Sequence, residues 1–215
     1  MSLHTAFSSP PLIVGIGGTQ RSQSSSELAA KFALSLAQGA GASTVMLDGR
    51  ALSLPLYNPA EPHRDERAME LVKILRNADG IIIACPAYHG GISGLIKNAL
   101  DYTEDMRDDD RCYFDGRAVG TITCAAGWQA AATTLSALRS VVHSLRGWNT
   151  PLGVMINTAG KVFEGETCVN SDVARNISIM VEQVIEFARM ARTSKVEAKD
   201  NRPSASRMPA YHVSI

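Results

Sequence analysis

The 215-residue chain lacks the features that mark several large classes of protein. Its 21 basic and 21 acidic residues balance, so no overall field attracts it to nucleic acid or to an anionic membrane. No apolar run is long enough to span a bilayer, and residues 1–11 contain neither the basic segment nor the hydrophobic stretch of a secretory signal. We therefore expect a soluble, cytoplasmic protein with no nucleic-acid or membrane partner.

Cysteine and histidine are present but scattered. The four cysteines include no C-x-x-C pair, and the five histidines form neither H-x-x-x-H nor H-x-H spacing. We expect reduced thiols, with Cys85 and Cys124 as small buried side chains, and no metal site. The chain also lacks the G-x-x-x-x-G-K-[ST] motif, and Gln20 stands where a dinucleotide-binding loop has its third glycine, so neither of these nucleotide sites is predicted.

Short apolar runs alternate with helical periods over most of the chain. Buried strands are predicted at 12–16, 44–47, 80–85, 117–123 and 151–156, with helices between them and a last helix over 171–192. Pro86 has no N–H and is expected to end the third strand, and the third helix is expected to begin near Ile92. The Pro-rich segment 48–66 is predicted to be a surface loop. The alternation predicts one domain over residues 1–192, with helices on both faces of a parallel sheet, and a flexible polar tail over 193–215.

Three glycine-containing loops follow the first, third and fourth strands, at 17–26, 86–91 and 124–129. In a parallel sheet such loops meet at one edge, where ligands bind beside the point at which the strand order reverses. The first loop offers hydroxyls, a guanidinium and the start of a helix, which together suit a single terminal phosphate. Its candidate phosphate ligands are Thr19, Arg21, Ser24 and Ser26. The alternative, that these serines only cap the helix and solvate the loop, stays open.

The second loop suits a flat ligand. Tyr88 and His89 are planar and precede Gly90 and Gly91, whose missing side chains let the backbone approach a ring that the planar groups also touch. Together with the phosphate loop, this pattern predicts a ligand in which a planar ring system carries one phosphate.

Two motifs in these loops are shared with a known family. Residues 18–24 match the pattern G-[ST]-x-R-x-x-S, and residues 86–101 match P-x-Y-[NH]-[GS]-[GS]-x-[PS]-[GA]-x-[LI]-K-N-x-[LIF]-D nearly throughout. On these motifs the chain, from about Leu12 to Asn157, resembles the NADPH-dependent FMN reductase family of flavodoxin-like proteins. The resemblance implies a flavodoxin-like sheet of five parallel strands in the order 2-1-3-4-5, with FMN and either NADPH or NADH as cofactors.

The resemblance also implies roles for particular residues. It places the FMN phosphate at Thr19, Arg21, Ser24 and Ser26. It places the isoalloxazine ring beside Pro86, Ala87, Tyr88, His89, Gly90 and Gly91. In the third loop it implies contacts from Gly127 and Trp128, although Trp128 is bulkier than the small residues usual there. The indole either covers the flavin or the nicotinamide, or packs where the loop joins the helix.

The activity that the resemblance implies is hydride transfer from reduced nicotinamide to FMN, with no catalytic side chain. The leading hypothesis is an NAD(P)H-dependent FMN reductase that can supply a two-component monooxygenase. The alternative is an FMN-bound reductase of quinones, azo dyes or metal oxyanions. A non-enzymatic flavodoxin-type carrier fits less well, since such carriers are strongly acidic and this chain is neutral. The hypothesis that the domain binds a different phosphorylated ligand also stays open.

The family resemblance further implies that the protein forms a homodimer or a dimer of dimers.

Overall fold

The computed structural model describes residues 9–200, with side chains for residues 9–194. In chain order the strands are β1 (Leu12–Gly17), β2 (Ser43–Leu47), β3 (Gly80–Tyr88), β4 (Gly91–Ile92), β5 (Ala118–Ala125), β6 (Trp148–Asn149), β7 (Val154–Asn157), β8 (Phe163–Glu164) and β9 (Thr167–Cys168). The helices are α1 (Ser25–Gly39), α2 (Glu66–Asn77), α3 (Gly94–Asp101), α4 (Trp128–Ser144) and α5 (Ser171–Asp200). A short 3-10 helix, Tyr102–Met106, follows α3.

The main sheet has the order β2-β1-β3-β5, and both β6 and β7 pair in parallel with the outer edge of β5. The predicted order 2-1-3-4-5 is confirmed, with β5 as the fourth parallel strand and β6 and β7 as two pieces of the fifth. The two pieces flank Pro151, which lies outside both strands and has no N–H to donate to a ladder.

Two apolar layers cover the sheet. Alternate residues of β3 face opposite sides, so that Ile82 belongs to the core under α1 and α5 while Ile81 and Ile83 belong to the core under α2, α3 and α4. The first eight residues of β3 are all buried, which is why its sequence is a continuous apolar run. Helices on both faces confirm the predicted architecture.

The third strand is longer than predicted. Pro86 pairs with Cys124 of β5, and β3 continues to Tyr88 before turning back into β4. The prediction that Pro86 ends the strand was therefore wrong. Because β1 ends opposite Ala84, one edge of β3 has no neighbouring strand at Pro86, and proline is tolerated at such an edge. Ile92 lies in β4, so α3 begins two residues later, at Gly94, with Ser93 as its N-cap.

The last helix also extends further than predicted, to Asp200 instead of Arg192. Residues 193–200 contain no proline or glycine, and a helix already anchored by its buried face gains one hydrogen bond for each residue added. This part of the predicted tail is therefore helical, and residues 201–215 lie outside the described residues. The single domain over 1–192 stays a prediction. Within residues 9–200, no helix has the length and apolarity needed to cross a membrane.

Candidate functional site

The first glycine loop runs from the end of β1 into the start of α1. Ser24 is the N-cap of this helix, and its Oγ accepts a hydrogen bond from the Glu27 N–H at 3.3 Å. The hydroxyl oxygens of Ser24 and Ser26 lie 3.4 Å apart, and both side chains are buried. Capping uses the Ser24 oxygen as an acceptor, which leaves its O–H as a donor. Ser24 therefore caps the helix, as the alternative interpretation holds, but its hydroxyl can also donate a hydrogen bond to a phosphate.

Thr19 and Arg21 form a tight turn within this loop. The Arg21 N–H donates to Thr19 Oγ1 at 3.0 Å, and the Thr19 hydroxyl lies 3.2 Å from the Arg21 carbonyl oxygen. The Thr19 hydroxyl therefore shapes the loop. The Arg21 guanidinium makes no hydrogen bond or ion pair with any residue between 9 and 194, so its five donors are available to an anion.

Glu27 is a buried carboxylate in the first turn of α1 that sequence reasoning missed. Its Oε2 accepts from the Gln23 N–H at 3.0 Å, and its Oε1 lies 2.9 Å from Lys31 Nζ. Gln23 has a φ of 56°, a left-handed conformation that this hydrogen bond stabilises. The sequence signal was the S-x-x-E spacing of Ser24 and Glu27, which is typical of a capping box. Here the carboxylate reaches one residue further back than in the usual box.

Lys31 offsets the charge of Glu27. The hydrogen bond that Lys31 donates to the Glu27 carboxylate is the main cause that raises the pKa of Lys31 above its ordinary value, so the ammonium stays charged. Lys31 also lies 3.3 Å from Glu166, which occupies the turn between β8 and β9. The hairpin is thereby joined to the start of α1, where a phosphate would bind.

The second glycine loop is a hairpin turn. Tyr88 pairs with Gly91, and the two residues between them have positive φ, 53° for His89 and 76° for Gly90. Two-residue hairpin loops with positive φ at both positions are the type I′ geometry, which favours Asn-Gly and related pairs. The Thr133 hydroxyl of α4 lies 3.1 Å from the Gly90 carbonyl oxygen and ties the turn to that helix.

The three loops meet around a cavity of about 360 Å³ at the carboxyl ends of β1, β3 and β5. Eight of the predicted site residues line it: Thr19, Arg21, Ser24, Ser26, Pro86, Ala87, Tyr88 and Gly127. The other four predicted residues, His89, Gly90, Gly91 and Trp128, are not part of this lining. Since no ligand tests these assignments, they stay predictions.

Trp128 is the first residue of α4 and is 57% exposed. An indole this exposed does not support the alternative that Trp128 packs where the loop joins the helix. It stands instead beside Gly127, which does line the cavity.

Further lining residues had not been named as site residues. Ser25, Cys124, Ala125 and Ala126 lie within the predicted loops, whereas Ala130 and Thr158 lie outside them. Thr158 follows β7, and its N–H donates to the Ala125 carbonyl oxygen at 2.8 Å. The carboxyl end of the fifth strand was the available signal, because it lies at the same edge of the sheet as the other loops.

Cys85 and Cys124 are buried, as predicted. Burial raises the pKa of both thiols, so both are neutral at physiological pH. The Ser93 N–H donates to Cys85 Sγ at 3.4 Å, which holds the thiol beneath the start of α3. Cys124 lines the cavity and contributes a small, uncharged surface to it.

The cavity suits a ligand with one anionic end and one flat end. At the anionic end are the two serine hydroxyls, the first-turn amides of α1, which have no intrahelical acceptors, and the Arg21 guanidinium, which has no partner among residues 9–194. At the other end the lining is made of small or apolar residues, including Pro86 and Ala126. A volume of about 360 Å³ lies within the range of small-molecule sites. These residues fit FMN.

The fold is flavodoxin-like, and the cavity lies at the carboxyl edge of its sheet. A family model described as NADPH-dependent FMN reductase matches residues 11–161, and the chain belongs to that family. It is an oxidoreductase, and FMN and a nicotinamide nucleotide are its cofactors, as the family resemblance implied.

Two curated relatives bear on the activity. The chain is 32% identical over 136 residues to an NADPH azoreductase from Bacillus sp. (strain OY1-2), a match that covers 63% of this chain and 68% of the relative. It is 32% identical over 113 residues to an FMN-dependent NADPH-azoreductase from Staphylococcus aureus, covering 51% of this chain and 56% of that protein. The chain thus spans little more than half the length of the staphylococcal relative.

Two solved structures share the fold. The flavoenzyme NAD(P)H:(acceptor) oxidoreductase FerB from Paracoccus denitrificans superposes with a TM-score of 0.69 at 19% identity, covering 85% of this chain and 98% of FerB. The flavodoxin WrbA-like protein from Agrobacterium tumefaciens superposes with a TM-score of 0.58 at 19% identity, covering 86% and 99% of the two chains. At these identities the likeness concerns the fold alone.

Proposed function

We propose that this chain is an NAD(P)H-dependent FMN reductase that holds FMN in the cavity between its three glycine loops. The observation that carries the proposal is that one cavity joins a helix N-terminus and a guanidinium with no partner among residues 9–194 to a surface of mostly small residues. A phosphate on a planar ring system matches both ends at once.

The phosphate end is formed by the first loop. The Arg21 guanidinium can donate two parallel hydrogen bonds to phosphate oxygens, and the Ser24 and Ser26 hydroxyls can add further donors. The amides and dipole of α1 favour an anion at the same point. The Thr19 hydroxyl acts indirectly, since it holds the backbone of Arg21.

The ring end is formed by the second and third loops. When bound, FMN supplies a hydride acceptor and a two-electron donor, and the chain needs no catalytic side chain for this chemistry. The residues from Pro86 to Tyr88 and from Ala125 to Gly127 would hold the ring at the carboxyl ends of β3 and β5. Apart from Tyr88, these residues have small side chains.

The electron acceptor separates two versions of this function. In the leading version, free FMN is reduced and released, and it can supply a two-component monooxygenase. In the second version, FMN stays bound and passes electrons to a quinone, an azo dye or a metal oxyanion. The azoreductase names of the curated relatives favour the second version.

We further propose that the protein is cytoplasmic and forms a homodimer or a dimer of dimers through α3 and α4. All four cysteines, Cys85, Cys112, Cys124 and Cys168, are unpaired, which suits a reducing compartment.

Steady-state oxidation of NADPH and of NADH, with free FMN, a quinone or an azo dye as the sole acceptor, tests the proposal. Multiple turnovers with free FMN support the leading version, and turnover of tightly flavin-loaded protein with a quinone or dye supports the second. Absence of nicotinamide oxidation with every acceptor would contradict both.

A further inference from the structure

We propose that a second cavity, next to the FMN cavity, is an acceptor chamber that selects flat, apolar aromatic molecules over small hydrophilic oxidants. The inference rests on the proposed function, since the acceptor must take its electrons from FMN. The chamber has a volume of about 550 Å³ and shares Thr19, Arg21 and Tyr88 with the FMN cavity. Thr19 and Arg21 belong to the phosphate end and Tyr88 to the ring end, so a molecule that packs against Tyr88 in the chamber is next to the ring end of the FMN cavity.

The wall of the chamber is apolar and exposed. Leu54, Leu56 and Leu95 line it together with Tyr88. Leu56 is 85% exposed and Tyr88 is 57% exposed. Single exposed apolar residues are common, but two of this size on one concave surface indicate a surface that a ligand covers. Covering the Leu56 side chain removes apolar area from water and so favours an apolar ligand.

The wall is also rigid, although the sequence predicted only a surface loop for residues 48–66. The Tyr57 N–H donates to Asn98 Oδ1 at 2.9 Å, and Asn98 Nδ2 donates to the Pro55 carbonyl oxygen at 2.9 Å. The Tyr102 hydroxyl donates to the same oxygen at 3.0 Å. Leu56 therefore lies between two backbone positions that α3 and the following 3-10 helix hold in place. A preformed wall lowers the entropy cost of binding.

The charge of the lining disfavours oxyanions. Arg21 is the charged residue among those that line the chamber, and no carboxylate is among them. That guanidinium also lines the FMN cavity, where a phosphate would occupy it. A small hydrated oxyanion would gain little from a leucine wall and would compete for one cation, whereas a flat aromatic molecule can pack against Leu56 and Tyr88.

The overall reaction with a quinone balances without another reagent. NADPH gives up one hydride and becomes NADP⁺, and the quinone gains two electrons and two protons and becomes a hydroquinone. One proton comes from the hydride equivalent and the other from solvent.

The variant Leu56→Ser tests the chamber, because a side chain this exposed can be replaced without disturbing the core. For the FMN-loaded variant we expect kcat/KM for naphthoquinone to fall about tenfold, the cost of losing one covered leucine. The same parameter for ferricyanide, the NADPH KM and the FMN Kd stay within about twofold of the parent. Leu56→Met should restore the quinone rate. Met69→Ser is the matched control, since Met69 is 53% exposed on α2 and lies outside both linings.

A binding measurement adds a readout that does not depend on turnover. Fluorescence titration of the FMN-loaded protein with naphthol, which accepts no electrons, should give a Kd about tenfold higher for Leu56→Ser than for the parent or for Met69→Ser. An equal fall in kcat/KM for ferricyanide and for naphthoquinone overturns the proposal. So does a Leu56→Ser variant in which neither kcat/KM for naphthoquinone nor the Kd of naphthol changes. A changed oligomeric state with unchanged quinone kinetics also overturns it and makes Leu56 a subunit contact. Failure of the parent to bind FMN would instead refute the proposed function.

Discussion

The backbone of Gly49 lies directly against the carbonyl oxygen of Thr19, so closely that a Cβ at position 49 would overlap that oxygen. Gly49 follows β2, whereas Thr19 belongs to the loop that follows β1. The two loops are further joined by Gln20 Nε2, which lies 3.4 Å from Ser53 Oγ. The position of the phosphate loop therefore depends on the absence of a side chain at position 49.

Replacing Gly49 by alanine should displace the backbone around Thr19 and lower FMN affinity. Because the overlapped atom is backbone, the neighbour cannot move away as a flexible side chain would. We expect the FMN Kd to rise at least about tenfold and the free energy of unfolding to fall by about 1–3 kcal/mol, as in other overpacked sites. Flavin fluorescence titration and chemical denaturation measure the two quantities.

Gly39→Ala is the control for this substitution. Gly39 ends α1, has open space where a Cβ would lie and does not have positive φ, so alanine should leave both quantities nearly unchanged. An unaltered FMN Kd in Gly49→Ala would show that the phosphate loop does not depend on this contact.

Glu27 should position the phosphate loop through its acceptor oxygen more than through its charge. Glu27→Ala frees the Gln23 N–H, and left-handed backbone without support costs about 1–2 kcal/mol. The same substitution removes the ion pair between Glu27 and Lys31, but this pair contributes less than about 1 kcal/mol because Lys31 is partly exposed. We therefore expect weaker FMN binding in Glu27→Ala, by about tenfold, and near-parental binding in Glu27→Gln, whose amide oxygen still accepts.

Riboflavin distinguishes this positioning role from general loss of stability, since it has the ring of FMN and no phosphate. The ratio of riboflavin Kd to FMN Kd should fall in Glu27→Ala and stay near the parental value in Glu27→Gln. Equal weakening of both ligands would mean that Glu27 serves only the fold.

His89 should matter for its backbone conformation. Its φ of 53° suits asparagine, whereas a β-branched residue is strained there by about 1–2 kcal/mol. We expect His89→Asn to keep the FMN Kd within about twofold and His89→Val to raise it several-fold, because the turn next to Tyr88 is distorted. If both variants lost affinity equally in a fluorescence titration, the imidazole itself would be a flavin contact.

Stability should decline above pH 9 because of the buried thiols. Burial raises the pKa of Cys124 above the ordinary value of 9.0, so the unfolded chain loses this proton at a lower pH than the folded protein does. The contribution of the protonated Cys124 thiol to the free energy of unfolding is complete below pH 9.0. It is lost as the pH rises towards the pKa of Cys124 in the folded protein. Between pH 9 and 10 the loss is about 1 kcal/mol for each such thiol.

Cys124→Ala isolates this contribution. Urea denaturation at a series of pH values should give a shallower decline between pH 9 and 10 for the variant than for the parent. Identical slopes would show that Cys124 ionises as readily in the folded protein as in the unfolded chain. The comparison is confined to this interval because Tyr57 and Tyr102, whose pKa values are also raised, begin to contribute above pH 10.

The sheet was predictable because its signals are local. A strand buried on both faces needs a continuous apolar run, and β3 has one. The loops at the carboxyl ends of these strands could be found for the same reason, and most of their predicted residues line one cavity. Pro86 was misjudged because the cost of its missing N–H depends on where β1 ends, which no local pattern reveals.

The features that sequence reasoning missed depend on contacts between distant parts of the chain. Asn98 anchors Tyr57 from 41 residues away, so the rigidity of the segment around Leu56 could not be seen in its Pro-rich composition. The overlap between Gly49 and Thr19 is likewise set by the parallel pairing of β1 and β2. Glu27, in contrast, had a local signal, its capping-box spacing from Ser24, as Thr158 had in directly following the fifth strand.

Anaerobic titration of the FMN-loaded protein with NADPH, and in parallel with NADH, tests the central claim most directly. The account predicts that the protein binds one FMN per chain and that the visible flavin absorbance disappears as one equivalent of at least one of the nucleotides is added. A protein that binds no added FMN, or whose bound FMN keeps its absorbance with excess NADPH and excess NADH, would contradict it.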